Sequence, residues 1–317
     1  MGAPYPPLRF SYLHQPLESI LADATVLAVF GFGREAPTHD DPRYLRVGLQ
    51  PLTAPAPFEV WRSNKSVASD EAGAIHYAAD GDYLYGAIEV DEHEHGGIAE
   101  ATEHAYRALC DFVNARPYAA LLRTWNYMDA INLGDGDAER YRLFCNGRAR
   151  GMRDRFRGAY PAGTAIGRQD GVRTLQVYWL SAREPGVPVE NPRQVSAYRY
   201  PRQYGPTPPA FARAMLSPAT QLLVSGTASV VGHASRHVGD PVGQFDETVR
   251  NLDSLLRAAG VGPLGGESLL KLYVRHPAQL PDIGEWLPQR IPGCPALILA
   301  GDVCRSELLL EIDCMHG

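Results

Sequence analysis

The chain repeats itself, and that repeat restricts its architecture more than any other feature. Asp82-Tyr-Leu-Tyr-Gly-Ala-Ile-Glu89 reads as a strand ending near a glycine, and a long amphipathic pattern follows from Ile98 to Val113. Much later, Gln221-Leu-Leu-Val-Ser-Gly-Thr-Ala228 is again a strand with a glycine. It too is followed by a helical pattern, from Gln244 to Ala259, with Gly260 as the expected C-cap. After each helix comes a further strand, Leu121 to Tyr127 and Leu269 to Val274. Each half then closes on a proline and two apolar stretches, Pro161 through Gly171 to Leu180 and Pro295 through Asp302 to Ile312, read as β-hairpins. The copies are offset by about 135 to 140 residues. The pattern predicts an α+β protein of two modules, each a mixed sheet packed against helices. The expected division is 1–182 for the first module with an N-terminal extension, 183–209 for a connecting loop rich in proline and tyrosine, and 210–317 for the second. A connection that long inside a compact protein is usually functional.

Composition narrows the class. A chain of 317 residues fits two domains, and 45% apolar with 21% charged residues is ordinary for a globular protein. Met1 to Leu13 has no basic start followed by an apolar run, and no stretch approaches the roughly 18 apolar residues of a membrane span. A cytoplasmic protein with no membrane partner is expected. The five cysteines are odd in number and lack C-x-x-C spacing, which predicts reduced thiols and no metal site. A net charge of −6 argues against nucleic acid as a partner. Between Arg140 and Arg213, however, stand 14 arginines, no lysine and only Asp154, Asp170, Glu184 and Glu190. A cationic segment in an acidic protein points to a small anionic ligand, and the guanidinium fork suits carboxylates. Most of these arginines are expected on a solvated surface, with three or four lining a site.

Several motifs carry little. Glu92-His93-Glu94-His95 and the pair His233 and His237 lack metal-ligand spacing and read as solvated loop histidines. Gly31-Phe32-Gly33 does not complete a dinucleotide fingerprint, and there is no Walker A loop or G-x-S-x-G elbow. No cofactor is expected. One oddity stands out. In Leu308-Leu-Leu-Glu311-Ile312 an acid interrupts an apolar run that reads as a buried strand. From the residues alone, Glu311 is either a salt-bridged edge glutamate or a functional acid. Cys304 lies seven residues upstream, so a turn or bulge must intervene if both side chains face one pocket.

The second half resembles the RidA/YjgF family, a chorismate-mutase-like α+β fold, through Val224-Ser225-Gly226, Asn251, Ala259-Gly260 and Glu307-Leu-Leu-Leu-Glu311-Ile312. The whole chain resembles the chorismatases, which join two such modules. The matching residues are Trp125-Asn126-Tyr127 with Ile131-Asn132, Glu139 through Arg148, Glu190 through Tyr198, Tyr204-Gly205-Pro206, Phe211-Ala-Arg213-Ala, Ser225 through Ser229, and Cys304 through Glu311. RidA-type imine deaminases place an arginine directly after a Pro-Ala pair. Here Pro161-Ala162-Gly163 and Pro295-Ala296-Leu297 have none, which puts deaminase chemistry in doubt.

The resemblance implies a cofactor-free enzyme that removes pyruvate from chorismate, acting as a monomer or homotrimer. It implies Glu311 as the general acid that protonates the enolpyruvyl methylene, and Cys304 in the product-determining step. Arg148 and Arg213 would bind the two carboxylates of the substrate. Tyr204 would donate a hydrogen bond to a carboxylate or to the C4 hydroxyl. Cys304 is the residue of 3-hydroxybenzoate-forming members, whereas Ala228 is that of hydrolytic ones, which give 3,4-dihydroxycyclohexa-1,5-diene carboxylate. A mixed signature also suits a branch that makes both 3- and 4-hydroxybenzoate. Two other classes stay open: a non-catalytic RidA-like ligand-binding protein, and a Cys304-centred hydrolase, which would need a histidine near the thiol.

Overall fold

The computed structural model describes residues 7–153, 155–156, 158–279 and 283–317. Residues 1–6 of the stretch read for a leader lie outside them. Three sheets share one interior. The first holds β1 (Arg9–Leu13), β2 (Val26–Phe32), β3 (Tyr44–Val47) and β4 (Phe58–Arg62), with the short helix α1 (Leu17–Leu21) after β1. The second holds β5 (Ala68–Ala72), β6 (Ile75–Ala79), β7 (Tyr83–Asp91), β8 (Ala120–Asp129), β9 (Ala162–Arg168) and β10 (Thr174–Ala182). Helices α2 (Ile98–Asn114) and α3 (Arg140–Met152) belong with it. The third holds β11 (Val187–Val189), β12 (Ala214–Leu216) and β13 (Leu222–Thr227). After a small hairpin, β14 (Val230–Val231) and β15 (Ala234–Ser235), it is completed by β16 (Ser268–Val274), β17 (Ala296–Ala300) and β18 (Leu310–His316). Helices α4 (Pro241–Ala259) and α5 (Ile283–Arg290) accompany it.

The repeat is therefore real: the strand orders β5-β6-β7-β10-β8-β9 and β11-β12-β13-β18-β16-β17 match position for position. Each sheet has one parallel pair, β8 with β9 and β16 with β17, bridged by a helix. The chain is α+β with two matching modules. One expectation fails. The two closing stretches of each half are not hairpins, because β10 inserts between β7 and β8, and β18 between β13 and β16. Apolar alternation marks a strand but does not choose its neighbour. The connecting segment 183–209 is also not structureless, since β11 pairs with β12 at the sheet edge.

The N-terminal extension is a third, truncated copy. Its order β1-β4-β2-β3 repeats β7-β10-β8-β9, again with one parallel pair, β2 with β3. Its first helix is reduced to five residues, and among the described residues it has no counterpart of α3, β5 or β6. Alternation then sorts each sheet. One face turns inward, where Phe30, Trp61, Trp125, Tyr178, Tyr273 and Met315 join a single core. The other face meets helices, with Phe245, Leu252 and Leu255 of α4 against Leu310 and Ile312 of β18. Among the described residues, no helix is long and apolar enough to cross a membrane.

At the centre, four buried charges from all three sheets balance. Lys271 contacts Glu59 at 2.8 Å and Asp313 at 3.7 Å, and Arg123 contacts Asp313 at 3.2 Å. Such a cluster is tolerated only because each charge is met by its opposite and by further hydrogen bonds. Trp125 Nε1 and the Tyr273 hydroxyl donate to Asp313, at 3.2 and 2.8 Å.

Candidate active site

The first module's edge strand β9 runs against β12 and β13 of the second, and the joint is hydrogen-bonded. Ala212 N donates to Pro161 O at 2.9 Å, Gly163 N to Ser225 Oγ at 2.8 Å, and Gly226 N to Thr164 Oγ1 at 3.1 Å. Over this joint lies a cavity of about 330 Å³, walled by Tyr141 and Arg148 from α3, by Tyr200, Tyr204 and Arg213, and by Cys304, Arg305 and Glu311.

Glu311 sits on the inward face of β18, beside the ion cluster, and is only 5% exposed. No group among the described residues hydrogen-bonds its carboxyl, although β18 is a central strand flanked on both sides. It is thus neither an edge glutamate nor a salt-bridged one. Burial, and secondarily the Asp313 charge, push its pKa up from 4.5 to about 8, against the opposing pull of Arg213 and Arg123. The carboxyl rests on a β-bulge, where Ser225 and Gly226 oppose the single residue Asp313. A Cβ at position 226 would overlap Glu311 Oε1, so only glycine leaves the acid room.

The cations of the cavity are set up differently from those elsewhere. Most partly buried arginines of the same segment have carboxylate partners, for example Arg140 with Glu92 at 2.7 Å and Arg173 with Asp129 at 3.2 Å. Arg148 and Arg213, 3% and 5% exposed, form no salt bridge among the described residues, although the Glu190 carboxyl lies near Arg213. Arg148 donates to Thr124 Oγ1 at 3.3 Å, and Arg213 to Val195 O at 2.8 Å and the Tyr200 hydroxyl at 2.7 Å; the Nε of each is buried without a partner. A buried cation without a salt bridge is costly, and an anionic ligand would remove that cost. Where deaminases carry their arginine, this chain has Gly163, and a Cβ there would lie 3.3 Å from Arg148 Nη2. The guanidinium arrives from α3 and fills the space the strand leaves open.

Cys304 shares the cavity with Glu311 because a turn, Cys304–Glu307, precedes β18. Burial, reinforced by Glu311, pushes its thiol up to about 12, so it stands as a neutral thiol. Tyr141 and Cys145 adjoin it, and no histidine hydrogen-bonds it among the described residues. Tyr204 lies at the rim with its hydroxyl 3.2 Å from His233 Nδ1 and its ring 4.0 Å from the Arg305 guanidinium. His233 is therefore not the solvated loop histidine expected from sequence; the β14–β15 turn carries it to the rim. His237 pairs with Glu247 and Glu92 with Arg140, outside the cavity. Ala228 is buried on the cavity wall. The structure thus brings together Glu311, Cys304, Arg148, Arg213, Tyr204 and Ala228. Sequence reasoning missed Tyr141, Thr164, Gly226 and Arg305. Arg305 had the clearest signal, since it directly follows Cys304 in a matched motif. No cluster of three or more His, Cys, Asp or Glu suited to a metal occurs among the described residues.

Comparison with known proteins follows the same line. A family profile described as chorismatase FkbO/Hyg5-like, N-terminal, matches residues 59–181. A 3-hydroxybenzoate synthase of Streptomyces hygroscopicus is 36% identical over 293 residues, covering 85% of this chain and 84% of that protein. A chorismatase of Streptomyces rapamycinicus is 35% identical, covering 80% of each. The crystal structure of a chorismatase superimposes with a TM-score of 0.85 at 31% identity, covering both chains fully. The chain belongs to the chorismatase family.

Proposed function

We propose that this protein removes pyruvate from chorismate and releases 3-hydroxybenzoate. The observation that carries the reading is a buried, partnerless carboxylic acid, Glu311, facing the same cavity as buried guanidinium groups without salt bridges. Chorismate is a dianion, so its two carboxylates complement Arg148 and Arg213. Their binding also adds negative charge near Glu311, which holds the proton more firmly until it is needed. Glu311 then donates that proton to the terminal methylene of the enolpyruvyl ether, making the ether carbon electrophilic. As the bond from C3 to the ether oxygen breaks, the C4 oxygen closes onto C3. The resulting arene oxide opens to the phenol. The C4 hydroxyl proton returns to the Glu311 carboxylate, so the reaction is balanced without added water or oxidant. Cys304, as a neutral thiol, guides the step that decides the product rather than attacking the substrate. Tyr204 hydrogen-bonds the substrate at the rim.

The 36% identity to a protein named 3-hydroxybenzoate synthase supports this product, and the presence of Cys304 agrees with it. A cytoplasmic enzyme, monomer or homotrimer, completes the reading, and the five free thiols agree with a reducing compartment. The test is incubation of the purified protein with chorismate, with pyruvate and aromatic products measured together. Pyruvate and 3-hydroxybenzoate in equal amounts are expected. Pyruvate with the non-aromatic dihydrodiol acid would make the protein a hydrolase, the product associated with Ala228. Absence of pyruvate would leave a ligand-binding protein.

A further inference from the structure

Thr164 belongs to the first module, yet its hydroxyl is spent entirely on the second module's catalytic strand pair and on Arg123. It donates to Asp313 Oδ2 at 3.1 Å, and accepts from Gly226 N at 3.1 Å and from Arg123 Nη2 at 3.2 Å. One proton and two lone pairs are all that a hydroxyl has, and all are used. Two of these partners bracket Glu311. Gly226 is the bulge residue against which the carboxyl rests, and Asp313 lies two residues along β18 on the same face. Asn126 Nδ2 donates to the Thr164 carbonyl at 2.8 Å and fixes the residue from behind.

We propose that Thr164 is the positioning residue of the acid: it locks the Gly226 bulge and the Asp313 carboxylate, so that Glu311 is held in its working place only when the two modules are docked. This rests on the reading of Glu311 as proton donor. The groups facing Glu311 are Asp313 on its own strand, Arg123 from β8, Arg213 just before β12, Cys304 from the preceding turn, Tyr273 from β16, and Tyr141 and Arg148 from α3; Glu139, Arg142, Arg305 and Glu307 line the same cavity. Among the carboxylates, Asp313 is the one whose charge acts on Glu311. Its charge opposes ionisation of Glu311, and it stays in place because its own hydrogen bonds hold it.

Thr164→Val keeps the shape and removes the hydroxyl. Pyruvate release from chorismate should then lose about 10- to 100-fold in kcat with KM changed less than about twofold. The alkaline limb of the kcat profile should move to lower pH as the carboxyl loses its enforced setting. Thr164→Ser, which restores the hydroxyl, should recover kcat to within a few-fold. If the valine variant fails to fold, Thr164→Ala carries the same expectation. Wild-type kcat and an unmoved alkaline limb in the valine or alanine variant would overturn the proposal, as would a loss confined to KM or an equal loss in Thr164→Ser. A wild-type protein that releases no pyruvate would instead overturn the function itself.

Discussion

The molecule contains two clefts built on the same plan, and only the first holds a buried acid left without a hydrogen-bond partner among the described residues. The first lies between β9 and the β13–β18 pair. The second, about 550 Å³, lies between β3 of the N-terminal sheet and the β7–β10 pair of the first module. Glu311 is registered opposite Tyr273 in the first, and Gln176 opposite Tyr127 in the second; the two tyrosine hydroxyls are hydrogen-bonded to each other at 3.0 Å. The frames correspond and the residues do not. Gln176 accepts from Gly48 N at 3.2 Å and donates to Arg46 O at 2.9 Å and Glu89 Oε1 at 2.7 Å, so both amide protons and the carbonyl are engaged. Glu311 has no such partner. The β7–β10 register is unbroken over nine pairs, whereas the β13–β18 register breaks at the Gly226 bulge. Arg168, the buried arginine of the second cleft, is held by Asp170 and the carbonyls of Val172 and Thr174, whereas Arg148 and Arg213 form no salt bridge among the described residues. The repeated frame supplies a cleft. The reactivity we propose rests on three local departures: an acid left unpaired, a bulge that gives it room, and buried arginines without salt bridges.

The comparison is broken most severely by Glu311→Gln, which gives the first cleft the side chain of the second. Pyruvate release should fall about 1,000-fold or more while the substrate still binds, because the amide keeps the shape but cannot donate the required proton. Stability should move the other way. In the fold Glu311 keeps its proton up to about 8, whereas its ordinary pKa is 4.5. The folded state therefore binds more protons between those values, and wild-type stability falls as pH rises from 4.5 to 8. The glutamine variant should lack that slope and be more stable than wild type at pH 8 by on the order of a few kcal/mol, seen as a higher unfolding temperature. Thermal unfolding at pH 5 and pH 8 beside the pyruvate assay checks both halves.

Gly226→Ala tests the bulge. The added methyl must push the carboxyl aside, and a displaced general acid should cost about 100-fold in kcat with a smaller change in KM. A near-normal rate would mean that the bulge does not aim the acid. The smallest effect on turnover is expected from Gln176→Glu, alone or with Glu311→Gln. An acid in the second cleft should neither add activity nor rescue the first, since its buried arginine, Arg168, is already paired with Asp170 and its other arginine, Arg46, is exposed. It would face Glu89 and the Arg46 carbonyl, acceptors against an acceptor, and should destabilise the fold by about 1 to 3 kcal/mol. Rescue of Glu311→Gln by this change would show the two clefts to be chemically equivalent.

The sequence carried the repeat, the α2 and α4 helices and the Gly260 cap, because periodicity and capping are local. It carried Glu311 as well, because an acid inside an apolar run is a local anomaly. The truncated third copy was not legible: with α1 only five residues long, its helical period is too short to register. The hairpins were misread because strand neighbours are chosen by the whole sheet. Thr164 and Gly226 are common residue types in ordinary strands, and their importance lies in partners 62 residues apart in the chain. The 14 arginines pointed to an anionic ligand, but singling out Arg148 and Arg213 as buried and free of salt bridges required the fold.

The central claim is that the cleft keeps Glu311 protonated at neutral pH so that it can donate. The most direct measurement is infrared difference spectroscopy of wild type against Glu311→Gln, following the protonated-carboxyl stretch between pH 5 and pH 9. The account predicts a band that is present at pH 6.5 and titrates away near 8. A Glu311 already ionised at pH 6.5 would contradict it.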